Sequence, residues 1–386
     1  MRPNVEALVN GRVLCDEGMV NDRVVLIEAD RILAVVSPDD PRCASVPQRN
    51  LKGNLLLPGF IDIQVNGGGG VMFNDDPGVD TIRTIAAAHR RFGTTSLLPT
   101  FISDDLPNVT RAIDAVRDAI TQKVPGVIGV HIEGPFLNPV RKGTHDASKF
   151  RTLDSDAVAL LSSLKIGRTL VTLAPETTTP EMIASLVAQG VVVAAGHTNA
   201  SFEVIEKALR HGLTGFTHLF NAMSPLGSRE PGVVGAALLD PNSWCGIIVD
   251  GHHVSPVALQ IALRCKRFER FMLVTDAMAN VGTLQSSFML QGKRIIVRDG
   301  KCVDEQGTLS GSALDMATAV RNAVAMLGLE LAEAVRMAST YPAQFLGLGN
   351  ELGRIASGYR ANLVLADEKL NVLDTWIDGK SNATGK

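Results

Sequence analysis

The sequence predicts an α/β fold, a (β/α)8 TIM-like barrel joined to a small β-sandwich domain built from both chain ends. Strand-like and helix-like stretches alternate through the middle of the 386-residue chain, and short β-rich segments occur at both ends. In addition, four polar residues stand at or just past the ends of apolar runs: Glu133, His197, His218 and Asp276. Alternation of this kind is typical of a parallel sheet covered by helices.

The two ends of the chain differ from the middle in their predicted secondary structure. Residues 1–55 are β-rich, with turn signals at residues 10–11 and 29–30, and the C-terminal segment repeats this short-strand pattern. We therefore expect residues 1–55 and 354–386 to pair into the small β domain, and residues 56–353 to form the barrel. The two termini of a chain often meet at one edge of a large domain.

Eight apolar stretches are predicted as the barrel strands. They cover residues 56–65, 94–99, 127–132, 169–173, 191–196, 213–218, 245–249 and 271–276. Helical periodicity predicts helices between them, over residues 79–92, 105–121, 155–164, 180–189, 201–211 and 255–265. We expect a loop over 219–243, a hairpin-like insertion over 288–303, and closing helices near 313–327 and 331–346.

Composition excludes several classes of function. The formal net charge is −3, with 45% hydrophobic and 20% charged residues, and no lysine or arginine cluster points to nucleic acid. The sequence contains no run of about 18 apolar residues, so we expect no transmembrane helix. The first twenty residues lack a basic segment followed by an apolar stretch, so we expect no secretory signal and a cytoplasmic location. The five scattered cysteines fit a reducing compartment.

The polar strand ends predict a metal-dependent hydrolase. Barrel strands run in one direction and active sites form where they end, so these residues belong on one rim. Two imidazoles (His197, His218) and one carboxylate (Glu133) can bind a metal and leave one position open. Asp276 is then placed to move protons. Taken singly, each residue has a plainer explanation, namely a structural salt bridge, a hydrogen-bonded histidine or a helix cap.

The first barrel strand favours one metal ion rather than two. Gln64 and Asn66 lie on one face of this strand, at a spacing where many two-metal barrel hydrolases have two histidines. Amides bind metal poorly, and no strand-end lysine is present that could bridge two ions. We therefore expect Gln64 and Asn66 to support the metal and its water.

Two loops carry candidate anion-binding residues. His253 follows the seventh strand in Asp250-Gly-His-His, and Arg229 lies in the long loop after the sixth strand. Arginine binds phosphate through two parallel hydrogen bonds. Either residue could instead be an ordinary solvated loop residue.

Nine short strings in order resemble one family closely. They are PGFIDIQVNG, HIEGPFLN, KGTH, GHTNA, THLFNAM, REPG, DGHH, LVTDA and GTLSGS, spread from about Pro58 to Gly358. Together they are similar to the N-acetylglucosamine-6-phosphate deacetylases of the amidohydrolase superfamily. The resemblance implies hydrolysis of the acetamide of N-acetyl-D-glucosamine 6-phosphate to glucosamine 6-phosphate and acetate, by a metal-activated water with Asp276 as general base and then acid.

The resemblance also implies a role for individual residues. Glu133, His197 and His218 match the family's metal ligands, and His145 the partner of the metal in polarising the acetyl carbonyl. The positions that match sugar-phosphate contacts are Thr144, His145, Asn221, Ala222, Arg229, His253, Leu309, Ser310 and Gly311. One divalent ion per subunit is implied, with zinc expected and iron, cobalt or manganese as alternatives. In this family the arginine can reach the neighbouring subunit's site, so a homodimer is expected.

Two rival interpretations stay open at this point. One is another amide hydrolase or a deaminase of the same superfamily. Its usual two-histidine first strand and bridging lysine are missing here. The other is a non-catalytic scaffold on the same barrel. A scaffold would be expected to have lost metal ligands, and this chain keeps all three candidates and the aspartate.

Overall fold

The computed structural model describes residues 5–383. The N-terminal part contributes five strands: β1 (Val5–Cys15), β2 (Gly18–Glu28), β3 (Arg31–Val36), β4 (Gln48–Asn50) and β5 (Leu55–Pro58). The turn signal at residues 29–30 is confirmed, because it joins β2 to β3. The turn predicted at residues 10–11 is wrong: these residues lie inside β1, where the register against β2 shifts at a bulge.

The barrel is confirmed as a sheet of eight parallel strands. In chain order the strands of this region are β6 (Phe60–Val65), a two-stranded hairpin of β7 (Gly67–Gly68) and β8 (Val71–Met72), β9 (Thr94–Ile102), β10 (Gly129–Glu133), β11 (Arg168–Leu173), β12 (Val192–Ala195), β13 (Gly215–Phe216), β14 (Trp244–Ile247) and β15 (Phe271–Leu273). The stretch 56–65, predicted as one strand, divides at Gly59, where β5 leaves the small domain's sheet and β6 enters the barrel.

Helices alternate with these strands. They are α1 (Val79–Arg90), α2 (Leu106–Thr121), α3 (Ser155–Leu161), α4 (Pro180–Ala188), α5 (Phe202–Arg210), α6 (Gly232–Leu239) and α7 (Pro256–Cys265), with short 3-10 turns at Pro139–Arg141, Ala147–Lys149, Pro175–Thr177 and Phe268–Arg270. The loop predicted over 219–243 is therefore wrong in its second half. α6 is buried on nearly all sides, so its sequence lacks the polar face that marks a surface helix.

After β15 the chain forms an insertion and three closing helices. A four-stranded sheet contains β16 (Ser287–Leu290), β17 (Lys293–Arg298), β18 (Lys301–Val303) and β19 (Leu309–Ser312), which extends the hairpin predicted over 288–303. The helices α8 (Met316–Leu327), α9 (Leu331–Ala338) and α10 (Thr340–Phe345) follow. Among residues 5–383 no helix is long and apolar enough to cross a membrane.

The C-terminal strands complete the small domain's sheet. They are β20 (Leu363–Ala366), β21 (Val372–Ile377) and β22 (Lys380–Ser381). Because β20 pairs with β5, and β5 pairs with β1, both chain ends belong to one sheet, as expected. The exact division of the chain at residues 55/56 and 353/354 stays a prediction.

The seam between the first and last barrel strands positions the site. Just beyond the regular strands, the backbone N–H of Asp276 donates to the carbonyl of Gln64 at 3.0 Å, and that of Asn66 donates to the carbonyl of Ala277 at 2.9 Å. The two segments are therefore joined at the carboxyl ends of β6 and β15. This contact brings the amides of the first strand beside the aspartate of the last.

Candidate active site

Three strand-end side chains meet in one buried cluster. Glu133 is the last residue of β10, whereas His197 and His218 follow β12 and β13. The Glu133 Oε1 atom lies 3.2 Å from Nε2 of His197 and 3.1 Å from Nε2 of His218. The two Nε2 atoms are 3.1 Å apart. These three side chains form a candidate metal site with one ligand atom each.

The backbone is strained where these side chains leave their strands. His197, His218 and Asp276 have φ values of 49°, 34° and 52°, in the left-handed region that residues with a side chain seldom adopt. Such conformations cost about 1–3 kcal/mol each and cluster at functional sites. Each turns the chain immediately after an apolar strand, so the polar group reaches the rim of the barrel.

The donor set fits a cation. Nδ1 of His197 lies 2.8 Å from the carbonyl oxygen of Arg141, and a carbonyl only accepts, so Nδ1 carries the hydrogen. In the neutral ring, Nε2 then presents a lone pair to the carboxylate of Glu133. Two nitrogens and one carboxylate oxygen facing each other suit zinc and related divalent ions, and they leave a coordination position open.

The carboxylate of this cluster stays ionised. Burial would raise the pKa of Glu133, but the imidazoles of His197 and His218 beside it hold the pKa well below its usual range. Gln64 Nε2 also donates to both carboxylate oxygens, at 3.3 Å each. This contact is consistent with the prediction that Gln64 supports the metal site.

Asp276 is a carboxyl suited to proton transfer. Burial, reinforced by the charge of Glu133, raises the pKa of Asp276 to about 6. Its Oδ1 atom accepts hydrogen bonds from Asn66 Nδ2 at 2.6 Å and from Gln64 Nε2 at 3.2 Å. A pKa near the working pH lets one group act as base and then as acid.

His145 packs against His197, one member of the histidine pair. Its ring centroid is 4.4 Å from that of His197, and burial drives its pKa well below the usual value. The Nδ1 atom faces Ser103, with the serine hydroxyl at 2.8 Å. Because Ser103 occupies the Nδ1 side, the Nε2 side of the ring is available to the cavity that His145 lines.

A cavity of about 380 Å³ opens above the cluster. Most of the residues predicted to contact a sugar phosphate line it, beside Asn66 and Asp276; these are Thr144, His145, Asn221, Ala222, His253, Leu309 and Gly311. Ser310 does not line it, and its side chain is fully buried. Arg229 does not line it either. It is exposed, and its side chain makes no hydrogen bond or ion pair within residues 5–383.

Three residues that matter to this geometry were missed by sequence reasoning. Ser103 contacts His145, Asp250 holds His253, and Asp62 binds the backbone beside Asp276. Asp250 Oδ2 lies 2.6 Å from Nδ1 of His253, and Oδ1 accepts the backbone N–H of His253 at 2.9 Å. The Asp-Gly turn ahead of the histidines was the available signal for Asp250. Ser103 and Asp62 carried no such signal.

The fold and the strand-end residues define a class, the barrel hydrolases that gather their polar groups at the carboxyl ends of the strands. The chain belongs to the amidohydrolase family, whose model matches residues 55–381.

Relatives and solved structures cover nearly the whole chain. The N-acetylgalactosamine-6-phosphate deacetylase of Shewanella sp. (strain ANA-3) is 43% identical over 386 residues, covering 98% of this chain and 97% of that protein. The crystal structure of N-acetylglucosamine-6-phosphate deacetylase from Pasteurella multocida superposes with a TM-score of 0.94 at 37% identity, covering 98% and 99% of the two chains. A variant of the N-acetyl-D-glucosamine-6-phosphate deacetylase from Mycobacterium smegmatis was solved in complex with N-acetyl-D-glucosamine-6-phosphate. It superposes with a TM-score of 0.90 at 32% identity, covering 98% of this chain and 99% of that chain.

Proposed function

We propose that this chain hydrolyses the acetamide of N-acetyl-D-glucosamine 6-phosphate, giving D-glucosamine 6-phosphate and acetate. The observation that carries the proposal is the Glu133–His197–His218 cluster with Asp276 beside it, at the base of a cavity lined by most of the expected sugar-phosphate residues. The names of two similar solved enzymes agree with this substrate.

The mechanism assigns a task to each buried polar group. Glu133, His197 and His218 would hold a divalent ion, with zinc as our proposed choice, and that ion would supply Lewis-acid activation of water and of the acetyl group. Asp276 accepts a proton from the attacking water as the new C–O bond forms. The same carboxyl returns that proton to the nitrogen as the C–N bond breaks, since an amide nitrogen leaves poorly unless it is protonated. His145 donates a hydrogen bond to the acetyl oxygen as negative charge develops there.

Substrate recognition is assigned to the loops around the cavity. His253, held by Asp250, and Arg229 are our candidates for the phosphate. The main-chain and side-chain groups at Thr144, Asn221, Ala222, Leu309, Ser310 and Gly311 are our candidates for the sugar.

A homodimer completes this arrangement. Arg229 lies outside the cavity of its own chain and is free of partners within residues 5–383, which suits a residue that reaches a second subunit's site. Exposed apolar side chains occur near it in sequence, namely Leu226 (61% exposed) and Leu239 (71%), together with Val257 (63%) and Ile261 (53%) on α7. Exposed apolar side chains of this kind are common components of protein contact surfaces. The proposed compartment is the cytoplasm, because a charged sugar phosphate does not cross lipid readily.

A second candidate substrate is the galactosamine epimer. The Shewanella relative, 43% identical, is named for N-acetylgalactosamine 6-phosphate. The two sugars differ only at one hydroxyl remote from the acetamide, so the same cluster serves both.

The test is acetate release by metal-analysed protein from four sugars: N-acetylglucosamine 6-phosphate, N-acetylgalactosamine 6-phosphate and their unphosphorylated forms. We expect fast release from N-acetylglucosamine 6-phosphate and much slower release from the two unphosphorylated sugars. Fast release from N-acetylgalactosamine 6-phosphate alone moves the assignment to the epimer and keeps the chemistry. Equal rates with and without phosphate remove Arg229 and His253 as phosphate contacts. Release from none of the four contradicts the proposal.

A further inference from the structure

Within residues 5–383, the hydrogen bonds to the ring of His145 come from Ser103. This serine directly follows β9 and is fully buried. Its hydroxyl oxygen lies 2.8 Å from Nδ1 of His145, and its backbone N–H points at the same nitrogen, with an N to Nδ1 distance of 3.4 Å. Two polar groups of one residue therefore converge on one ring nitrogen.

This convergence fixes where the imidazole hydrogen sits. A backbone N–H is always a donor, so Nδ1 must be an acceptor. A hydrogen on Nδ1 would face the amide hydrogen of Ser103. The serine hydroxyl has no other hydrogen-bond partner in the described part of the chain, so it donates to Nδ1 as well. With Nδ1 bare, the ring hydrogen resides on Nε2, because the partner of one ring nitrogen sets the state of the other.

The backbone around Ser103 is fixed before any substrate arrives. Asn74 binds both polar groups of the preceding Ile102 backbone, at 2.9 and 3.0 Å. Gln291, at the tip of the β16–β17 hairpin, donates to the carbonyl of Ser103 at 2.8 Å. On another side, a Cβ atom at Gly134 would lie only 2.2 Å from the serine oxygen, so the strand end approaches it closely. Such support holds a polar group in one geometry.

We propose that Ser103 is a positioning residue that locks His145 in the Nε2–H tautomer, so that His145 offers a hydrogen bond to the acyl oxygen instead of acting as a base. The identity of that acceptor rests on the proposed function. The opposite tautomer would aim a lone pair at the oxygen on which negative charge develops, and it would give no stabilisation there. Ser103 does not touch the substrate and acts only through His145.

The tautomer is tested directly by nitrogen NMR on zinc-loaded protein with 15N-labelled histidine. The chain has eight histidines, so the spectrum contains few signals, and a His145→Asn variant assigns the one of interest. We expect a bare Nδ1 and a protonated Nε2 for His145 without substrate, and a mixed or altered state in the Ser103→Ala variant. A hydrogen on Nδ1 of the unaltered protein overturns the proposal. This readout needs no turnover, so it stands even if the deacetylase assignment fails.

Kinetics on the sugar phosphate provide the second test. Because residues behind an active-site group typically contribute 10- to 100-fold, we expect Ser103→Ala to lower kcat by roughly that factor. KM should change by less than about twofold, since ground-state binding is not removed. Ser103→Thr keeps both donors and should retain most of kcat.

A matched control is Ser96→Ala. Ser96 is a buried serine of the same strand whose hydroxyl lies 3.3 Å from Nδ2 of Asn362, towards the small domain. We expect it to leave kcat unchanged. Equal losses of kcat in the Ser96 and Ser103 variants, or a normal kcat for Ser103→Ala, contradict the positioning role.

Discussion

The hydroxyl of Thr275 donates to the buried carboxylate of Asp62 at 2.5 Å, across the seam between the first and last barrel strands. The other carboxylate oxygen lies within reach of two backbone N–H groups, those of Gln64 at 3.3 Å and Thr275 at 3.4 Å. Asp62 thus binds Gln64, two residues before Asn66, and Thr275, immediately before Asp276. The Asp62 side chain therefore adds to the backbone hydrogen bonds that join the two segments just beyond it.

This carboxyl should make stability depend on pH. Burial, opposed by the hydrogen bond from Thr275, raises the pKa of Asp62 to about 7, above the ordinary value of 3.8 that it takes when unfolded. Between these values the folded chain binds more protons, so its contribution to stability falls as pH rises and the loss is complete above pH 7. Relative to the native protein, Asp62→Asn should gain stability on going from pH 4 to 8, on the order of a few kcal/mol. Urea unfolding at several pH values measures the free energy of unfolding of both proteins. If that free energy changes with pH in the same way in the native protein and in Asp62→Asn, the prediction is wrong.

Asp276→Asn separates proton transfer from binding. The variant keeps the oxygen that accepts from Gln64 and Asn66 and leaves the three candidate metal ligands untouched. We expect kcat to fall by about 10²–10⁴-fold, the usual size of general acid–base catalysis, with metal content and substrate affinity preserved. Steady-state kinetics measure kcat, and calorimetry measures substrate affinity. Asp80→Asn, at a fully exposed side chain, is the control. An unchanged kcat would refute the role of Asp276.

Asp250→Asn tests the phosphate side of the cavity. Although burial opposes it, the hydrogen bond to His253 holds the pKa of Asp250 below its usual range, so the carboxylate is charged and fixes the orientation of the His253 ring. Replacing it should raise KM for the phosphorylated sugar by about tenfold, equivalent to one charge-assisted contact, with kcat little changed. The unphosphorylated sugar serves as the internal control. If both sugars lose the same affinity, His253 does not bind the phosphate.

A mixed dimer tests whether Arg229 acts across subunits. One chain carries Arg229→Ala and the other Asp276→Asn, and each homodimer is expected to be weakly active. If the arginine serves the neighbouring site, one site of the mixed dimer contains both native residues and activity returns on mixing. Coexpression with two affinity tags isolates the mixed species. No recovery would place Arg229 in its own subunit's site or outside catalysis.

The strand-end residues could be located from sequence because polar groups are conspicuous after apolar runs. Glu133, His197, His218 and Asp276 were found in this way, and the structure gathers them at one rim. The helix Gly232–Leu239 was missed because it is apolar all round, and periodicity is informative only when one face is polar. Ser103 and Asp62 were missed for another reason. Their importance comes from partners about 40 and 200 residues away, which no local pattern records.

The most direct test of the central claim is a titration of metal-free protein with zinc, followed by acetate release from N-acetylglucosamine 6-phosphate. Three ligands with one open position predict that activity rises linearly and levels off at one zinc per chain. Glu133→Gln should bind zinc weakly and stay inactive across the same range. Full activity of the metal-free protein, or a rise that continues to two ions per chain, would contradict the account.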